Sequence, residues 1–150
     1  MNVIEEDPDA PSLLFLGTEH HLFASTDAGE TWARVPNLPT TAYDDLVIHP
    51  REKDLVIGTH GRSIWILDDV RPLEEWDEAL SSPTVHLFSV RPATIFHYWK
   101  NTSYRGTDEW HGENPADGAI VTYRLGAGVE GAATLRVRGP EGRLVREMRV

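Results

Sequence analysis

Cysteine is absent from this sequence of 150 residues, so the chain has neither a disulfide framework nor a thiolate for catalysis. Long hydrophobic runs are missing too, since no apolar stretch approaches the roughly 18 residues of a membrane-spanning helix. Basic residues are few, with 14 Lys and Arg against 24 Asp and Glu and a formal charge of −10. A nucleic-acid partner favours a basic face. We therefore expect no membrane span and no nucleic-acid partner.

The most specific pattern is the eight-residue stretch Ser-Thr-Asp-Ala-Gly-Glu-Thr-Trp that begins at Ser25. Asp27 is placed to accept hydrogen bonds from nearby backbone N–H groups, as in an Asx turn. Gly29 permits the positive φ that tight hairpins need. Thr31 and Trp32 then return the chain to a strand, where the indole can hold the turn against the sheet. These five positions predict a structural hairpin.

A repeat relates two parts of the sequence at a spacing of 41 residues. Upstream of the first matched strand, Val3 and Ile4 also echo residues 46–48, with a small shift. Several short strands in each unit of this length are typical of propeller blades. The second copy lacks the Gly-x-Thr-Trp half of the hairpin pattern, which marks the end of the repeat. The matched pairs are Leu14–Thr18 with Leu55–Thr59, Phe23 with Ile64, and Asp27 with Asp68.

The rest of the pattern divides the chain into residues 1–70, a helical linker at 71–83 and a second β-rich part at 84–150. The unbroken apolar runs at 46–48, 55–57 and 64–67 predict strands buried on both faces. Pro72 opens a helix from Leu73 to about Leu80, with residues 73, 76 and 80 on one apolar face. The predicted strands are 13–18, 21–25, 31–35, 45–49, 54–60, 63–67, 119–125, 133–138 and 143–150, with 85–90 and 93–99 extended and 101–117 a loop.

The sequence resembles the BNR/Asp-box propeller proteins related to the sortilin ectodomain, often labelled glycosyl hydrolases or sialidase-like. The resemblance rests on segments 17–19, 25–32, 45–50 and 58–69, and for a following Ig-like sandwich on 112–123 and 135–146. It implies an all-β fold: two blades of an Asp-box β-propeller, a short helix and a partial Ig-like β-sandwich. In these proteins the Asp box is structural, so its residues are not expected to be catalytic.

The resemblance implies a C-terminal portion of a larger propeller protein that serves as a non-catalytic scaffold for protein or carbohydrate binding. The alternative is part of a glycoside hydrolase whose catalytic residues lie mostly in blades outside this chain. The resemblance also suggests an exported protein, and no cofactor is expected. Two blades cannot close a propeller, so each would expose an apolar face. Further blades or self-association would cover these faces.

Carboxylates are the first candidates for chemistry, because glycoside hydrolysis needs two that face one sugar. No spacing in the sequence fixes such a pair, and positions at strand starts and at the helix entry explain these acids equally well. Arg62 alone does not supply the arginine cluster that a sialidase needs for its substrate carboxylate. The catalytic residues therefore remain unassigned. The candidate acids are Glu19, Asp44, Asp45, Asp68 and Asp69.

Histidines raise the possibility of a metal site, but His20 and His21 are neighbours that would point to opposite faces of a strand. No cysteine or suitably spaced third ligand joins them with His49 and His60. One acid in a tight hairpin, Asp27, is likewise too little for calcium. We expect no metal site.

The loop between two predicted strands, residues 59–62, is the best candidate for binding. Arg62 could recognise an anion or a carbonyl group, and His60 could act as a base near neutral pH. Alternatively, Gly61 makes the turn while both side chains pack on the adjacent blade. A second candidate is an aromatic group that either stacks on sugars or forms a seam between the two parts. Its members are Phe96, Tyr98, Trp99, Tyr104 and Trp110.

Overall fold

In the computed structural model, residues 1–95, 97 and 116–149 are described, and most of their regular structure is β-strand. The strands form small antiparallel sheets, and the helices are two short segments. This confirms the all-β prediction. The aromatic residues Phe96, Tyr98, Trp99, Tyr104 and Trp110 lie outside the described residues, as does most of the predicted loop at 101–117. Among the described residues, the helices are too short and too polar to cross a membrane.

The first sheet is an antiparallel meander in which each strand pairs with the next along the chain. Its first strand was not among the predicted strands, although the echo of Val3 and Ile4 pointed to it. The register pairs Ile4 with Leu16 and Leu16 with Phe23, which places these three side chains on one face. The strands are β1 Val3–Glu6, β2 Leu14–Gly17, β3 Leu22–Ser25 and β4 Ala33–Arg34.

The second sheet repeats this meander with strands β5 Tyr43–Ile48, β6 Leu55–Thr59 and β7 Ile64–Leu67. Gly17 pairs with Leu22 in the first sheet, whereas Gly58 pairs with Ile64 in the second. The loop before β7 is therefore one residue longer than the loop before β3. Beyond that loop, equivalent positions in the two sheets are one residue further apart than the predicted spacing of 41. The predicted matches of Phe23 with Ile64 and of Asp27 with Asp68 are therefore wrong.

The core lies between the two sheets, where the inner face of one meander packs on the inner face of the other. Tyr43 N donates a hydrogen bond to Thr18 O at 2.9 Å across this interface. Burial of these side chains supplies the main stabilising term, at about 1.5–3 kcal/mol for each large one. The fully or nearly buried residues are Leu13, Phe15, Leu22, Tyr43, Leu46, Ile48, Leu55, Ile57 and Val70.

The prediction that strands of the second sheet are buried on both faces is wrong. Leu46 and Ile57 are buried against the first sheet, but Val47 and Ile66 on the opposite face are 51% and 59% exposed. Unbroken apolar runs indicate two faces that disfavour water, and in the described part of the chain only one of them is covered. The other face carries mostly apolar side chains, with Asp45 as a charged residue among them.

The helical linker consists of α1 Arg71–Glu74 and α2 Trp76–Ser81, interrupted at Glu75. It begins two residues before the predicted start, with Pro72 in its first turn, where proline is tolerated. Ala79 is its buried residue, whereas Leu80 is 53% exposed, contrary to the predicted apolar face.

The second part of the chain contains two separate two-stranded sheets. Trp76 of α2 stacks on Phe88 with ring centroids 6.5 Å apart, and Arg124 Nη1 donates a hydrogen bond to Ala79 O at 2.8 Å. These contacts attach the first of the two sheets to the linker. The strands are β8 Val85–Leu87 with β9 Tyr123–Leu125, and β10 Thr134–Arg138 with β11 Leu144–Arg149.

Candidate functional site

The Asp-box hairpin follows β3 and is held together by its own polar groups. Ser25 Oγ donates a hydrogen bond to Asp27 Oδ1 at 2.6 Å and accepts one from Gly29 N at 2.9 Å. Asp27 Oδ1 also accepts a hydrogen bond from Thr31 N at 2.9 Å. Trp32 Nε1 donates to Gly29 O at 3.1 Å, which lays the indole along the turn. Gly29 has a φ of 91°, as its predicted role requires.

The electrostatics of the hairpin suit a structural role. Hydrogen bonds from Ser25 and Thr31 lower the pKa of Asp27 to about 2. A carboxylate stabilised so strongly is a poor proton donor or base near neutral pH. Because its pKa is lowered by folding, its contribution to stability is present above the ordinary value of 3.8 and is lost as the pH falls through about 2.

Replacing Ser25 with alanine is expected to lower the free energy of unfolding by about 1–2 kcal/mol, because it leaves Gly29 N without its acceptor. Ser25 is only 2% exposed, so water cannot readily replace the lost hydroxyl. Urea denaturation followed by tryptophan fluorescence measures the change. The matched control is Thr26→Ala next to it, whose hydroxyl makes no hydrogen bond with the described residues. Equal losses in both variants would contradict this role of Ser25.

The loop from Thr59 to Ser63 lies at one rim of the second sheet. His60 Nδ1 is 3.1 Å from Asp44 Oδ2, and the two side chains are 81% and 50% exposed. Arg62 is exposed, and its guanidinium has no partner among the described residues; only its carbonyl is engaged, by Trp65 Nε1 at 2.8 Å. Among the described residues, neither side chain packs on an adjacent sheet. The loop thus presents His60 and Arg62 to solvent, with the Asp44 carboxylate of β5 beside the histidine.

The turn in this loop relies on two residues with positive φ, Gly61 and Ser63, both at 71°. No atom lies within 4 Å of a Cβ built on Gly61, so backbone conformation rather than space favours glycine there. The loop is also tied to the sheet, since His60 N donates to Ala42 O at 2.8 Å and Thr41 Oγ1 donates to His60 O at 2.9 Å. These bonds fix the backbone while leaving the side chains of His60 and Arg62 in solvent.

The other histidines considered as metal ligands, His20, His21 and His49, make local contacts. His49 Nδ1 accepts a hydrogen bond from Glu52 N at 3.1 Å in the turn after β5. Asp7 does the same in the equivalent turn after β1, accepting from Asp9 N at 2.8 Å. The rings of His20 and His21 are 6.5 Å apart at the turn before β3. Within the described ranges, no group of acidic and histidine side chains has the geometry of a metal site.

An acid-lined cavity of about 510 Å³ lies where the second sheet, the linker and the second part of the chain meet. It brings Asp68 and Asp69 together with Asp54 and Arg91, whereas Asp44, Asp45 and Glu19 do not line it. Arg91 Nη1 donates to Asp54 Oδ1 at 2.9 Å, and Asp69 Oδ1 pairs with Arg71 at 2.6 Å. The charged side chains that line it are Glu52, Asp54, Asp68, Asp69, Asp117 and Arg91.

Within this cavity the carboxyl groups differ in environment. Partial burial of its carboxyl group, together with the negative charges of Asp54 and Asp69, raises the pKa of Asp68, and Arg91 only partly opposes this. Asp54 and Asp69 are each held by an arginine. A protonatable carboxyl beside arginine-paired carboxylates is an arrangement that acid–base chemistry can use. Asp54 and Arg91 were not singled out by the sequence, because they lie 37 positions apart in different parts of the chain.

No family model, curated protein or solved structure matches the chain.

Proposed function

We propose that this chain is part of an Asp-box β-propeller and that it presents a binding surface for a protein or carbohydrate ligand. The proposal takes the two stacked meanders as successive blades and the β8–β9 and β10–β11 sheets as the start of an Ig-like sandwich. The hydrogen-bonded hairpin at Ser25–Trp32, which matches the Asp-box pattern in residues and in turn geometry, supports the blade assignment. The chain is then one portion of a larger protein that is exported.

The observation that carries the binding role is the rim loop. Arg62 offers a planar guanidinium that no described residue pairs with, and His60 and Asp44 lie beside one another on the same rim, all of them solvent-accessible. An exposed arginine fork suits a ligand carboxylate or carbonyl group. Long exposed side chains on a backbone held by hydrogen bonds are the usual form of a binding loop on a rigid sheet.

Part of a glycoside hydrolase is the second candidate, and the acid-lined cavity favours it. Asp68, with its raised pKa, would be the proton donor, and Asp54 or Asp69 the second carboxylate. The two candidates place function at different sites. Substitutions at Arg62 and at Asp68 therefore separate them.

The test applies the purified chain to an array of neutral and carboxylate-bearing oligosaccharides and, in parallel, to aryl-glycosides. For a binding scaffold, we expect glycan binding that Arg62→Gln weakens about tenfold or more, consistent with loss of a charge-assisted hydrogen bond, and no hydrolysis. His20→Ala, an exposed histidine on the corresponding loop of the first sheet, is the matched control. Hydrolysis abolished by Asp68→Asn and unaffected by Asp44→Asn would instead establish the enzyme.

A further inference from the structure

Two largely apolar sheet faces are left uncovered by the described residues, at opposite ends of the stacked meanders. The head face is the outer face of the second sheet, where Ile64 and Ile66 are 67% and 59% exposed. The tail face is the outer face of the first sheet, where Ile4 is 51% exposed. The head face consists of Val47, Val56, Gly58, Ile64 and Ile66 with Asp45 as a charged residue, and the tail face of Ile4, Leu14, Leu16 and Phe23 with Glu6 as a charged residue.

The strand registers show that the head face repeats a surface that is already buried within the chain. In the first sheet, Phe15, Gly17 and Leu22 form the inner face that packs against the second sheet. In the second sheet, the pairing of β6 with β7 places Val56, Gly58 and Ile64 at the equivalent positions. These three residues lie on the head face.

The tail face repeats the other side of the same interface. Leu46 and Ile57 of the second sheet are buried against the first sheet. Their equivalents by register are Ile4 and Leu16, and Phe23 corresponds in the same way to Trp65. The head and tail faces are thus equivalents of two surfaces that already pack together inside each molecule.

We propose that the head face of one copy binds the tail face of a second copy, so that the stacking of the two meanders continues from one molecule to the next. The interface would be an extension of the established interface between the first and second sheets. Such a contact joins two different surfaces and is therefore heterologous, producing either a closed ring or a growing chain. It buries large aliphatic side chains that are otherwise in water. The proposal depends on the repeat and not on any ligand or activity.

Sedimentation velocity over a range of concentrations tests the proposal. The wild-type chain is expected to show a weight-average mass that rises above the 16.8 kDa of one copy. Ile66→Glu blocks the head face and Ile4→Glu the tail face, so each variant alone is expected to remain a monomer. Mixing the two variants restores one intact junction and is expected to give a one-to-one dimer that grows no further.

The control is Val145→Glu, which places the same charge at a residue that is 63% exposed on β11, away from both faces. It is expected to associate like the wild type. Circular dichroism establishes that each variant is folded, and Val47→Glu and Leu16→Glu replace a head or tail variant that is not. Three results would overturn the proposal: a folded wild type that stays monomeric, a tail variant that still self-associates, or a mixture of head and tail variants that forms no dimer.

Discussion

Replacing Lys53 with methionine is expected to lower the free energy of unfolding by about 3–5 kcal/mol, because it leaves buried carboxylates without their cation. The side chain of Lys53 is only 8% exposed. Its Nζ lies 3.2 Å from Asp7 Oδ1 and 2.9 Å from Glu74 Oε1, with the exposed Asp9 at 2.6 Å. Methionine fills a similar volume, so lost charge pairing rather than an empty space dominates the effect. Urea denaturation at low protein concentration measures it.

The cation also joins three separate segments. Asp7 follows β1, Lys53 precedes β6, and Glu74 lies in α1, so removing Lys53 also loosens the linker. Burial lowers the pKa of Lys53, but the hydrogen bonds to Asp9, Glu74 and Asp7 raise it by more, so the net shift is upward. The lysine is therefore charged throughout the ordinary pH range. A loss no larger than that of the exposed control Arg51→Met would contradict this role.

The pH dependence of this cluster identifies Glu74 separately. Burial and the neighbouring Asp7 carboxylate raise the pKa of Glu74, despite the opposing effect of Lys53. A raised pKa in the folded state gives a contribution that is fully present below the ordinary value of 4.5 and is lost as the pH rises through the folded value. Glu74→Gln is neutral at every pH, so it is expected to gain stability relative to the wild type over that rise. Asp7, whose pKa is lowered on folding, changes in the opposite sense at lower pH.

Local features of the fold could be predicted from the sequence, because short-range contacts determine them. The side-chain hydrogen bonds of the Asp box join residues within a few positions of one another, and the predicted hairpin is present. A bond to a more distant residue runs from Ala28 N to Ser12 O, at 2.9 Å. Most strands of the two meanders likewise follow from short apolar runs between turn residues, with β1 as the strand that was not predicted. Their register does not follow, because one additional residue in the loop before β7 shifts the pairing without changing the hydrophobic pattern.

Long-range contacts explain what the sequence did not predict. Lys53 and Asp7 are 46 positions apart, and neither lies in a motif. Arg91 and Asp54 are also far apart in the sequence, at 37 positions, and their pairing helps to form the acid-lined cavity. The structure places His60 and Arg62 in a loop between two strands, as the sequence predicted, but the exposure of their side chains depends on which neighbouring surface exists to cover them. The apolar runs of the second sheet indicated two buried faces, because a hydrophobic pattern does not show whether a neighbouring surface covers both of them.

Replacing Gly17 with alanine is expected to lower the free energy of unfolding by about 1–3 kcal/mol, because the interface between the two sheets has no room for a methyl group. A Cβ at this position would lie 2.6 Å from Val3 Cγ1, 2.9 Å from Tyr43 Cβ and 3.0 Å from Tyr43 O. Val3 can change its rotamer, but the backbone of Tyr43 cannot move alone, since its N–H is bonded to Thr18 O across the interface. Urea denaturation at a concentration where the chain is monomeric measures the loss.

Gly58 is the matched control, because it occupies the same position in the second meander on the uncovered head face. A Cβ there would approach the atoms of Asp45 no closer than 3.5 Å, which is ordinary contact. Gly58→Ala should therefore leave the stability of the monomer unchanged or raise it slightly, as loss of a flexible glycine does in a compatible conformation. If a second copy covers the head face as Tyr43 covers Gly17, the same substitution should weaken self-association while leaving monomer stability intact. Equal destabilisation by both substitutions would show that the strand itself, rather than the contact between sheets, requires glycine.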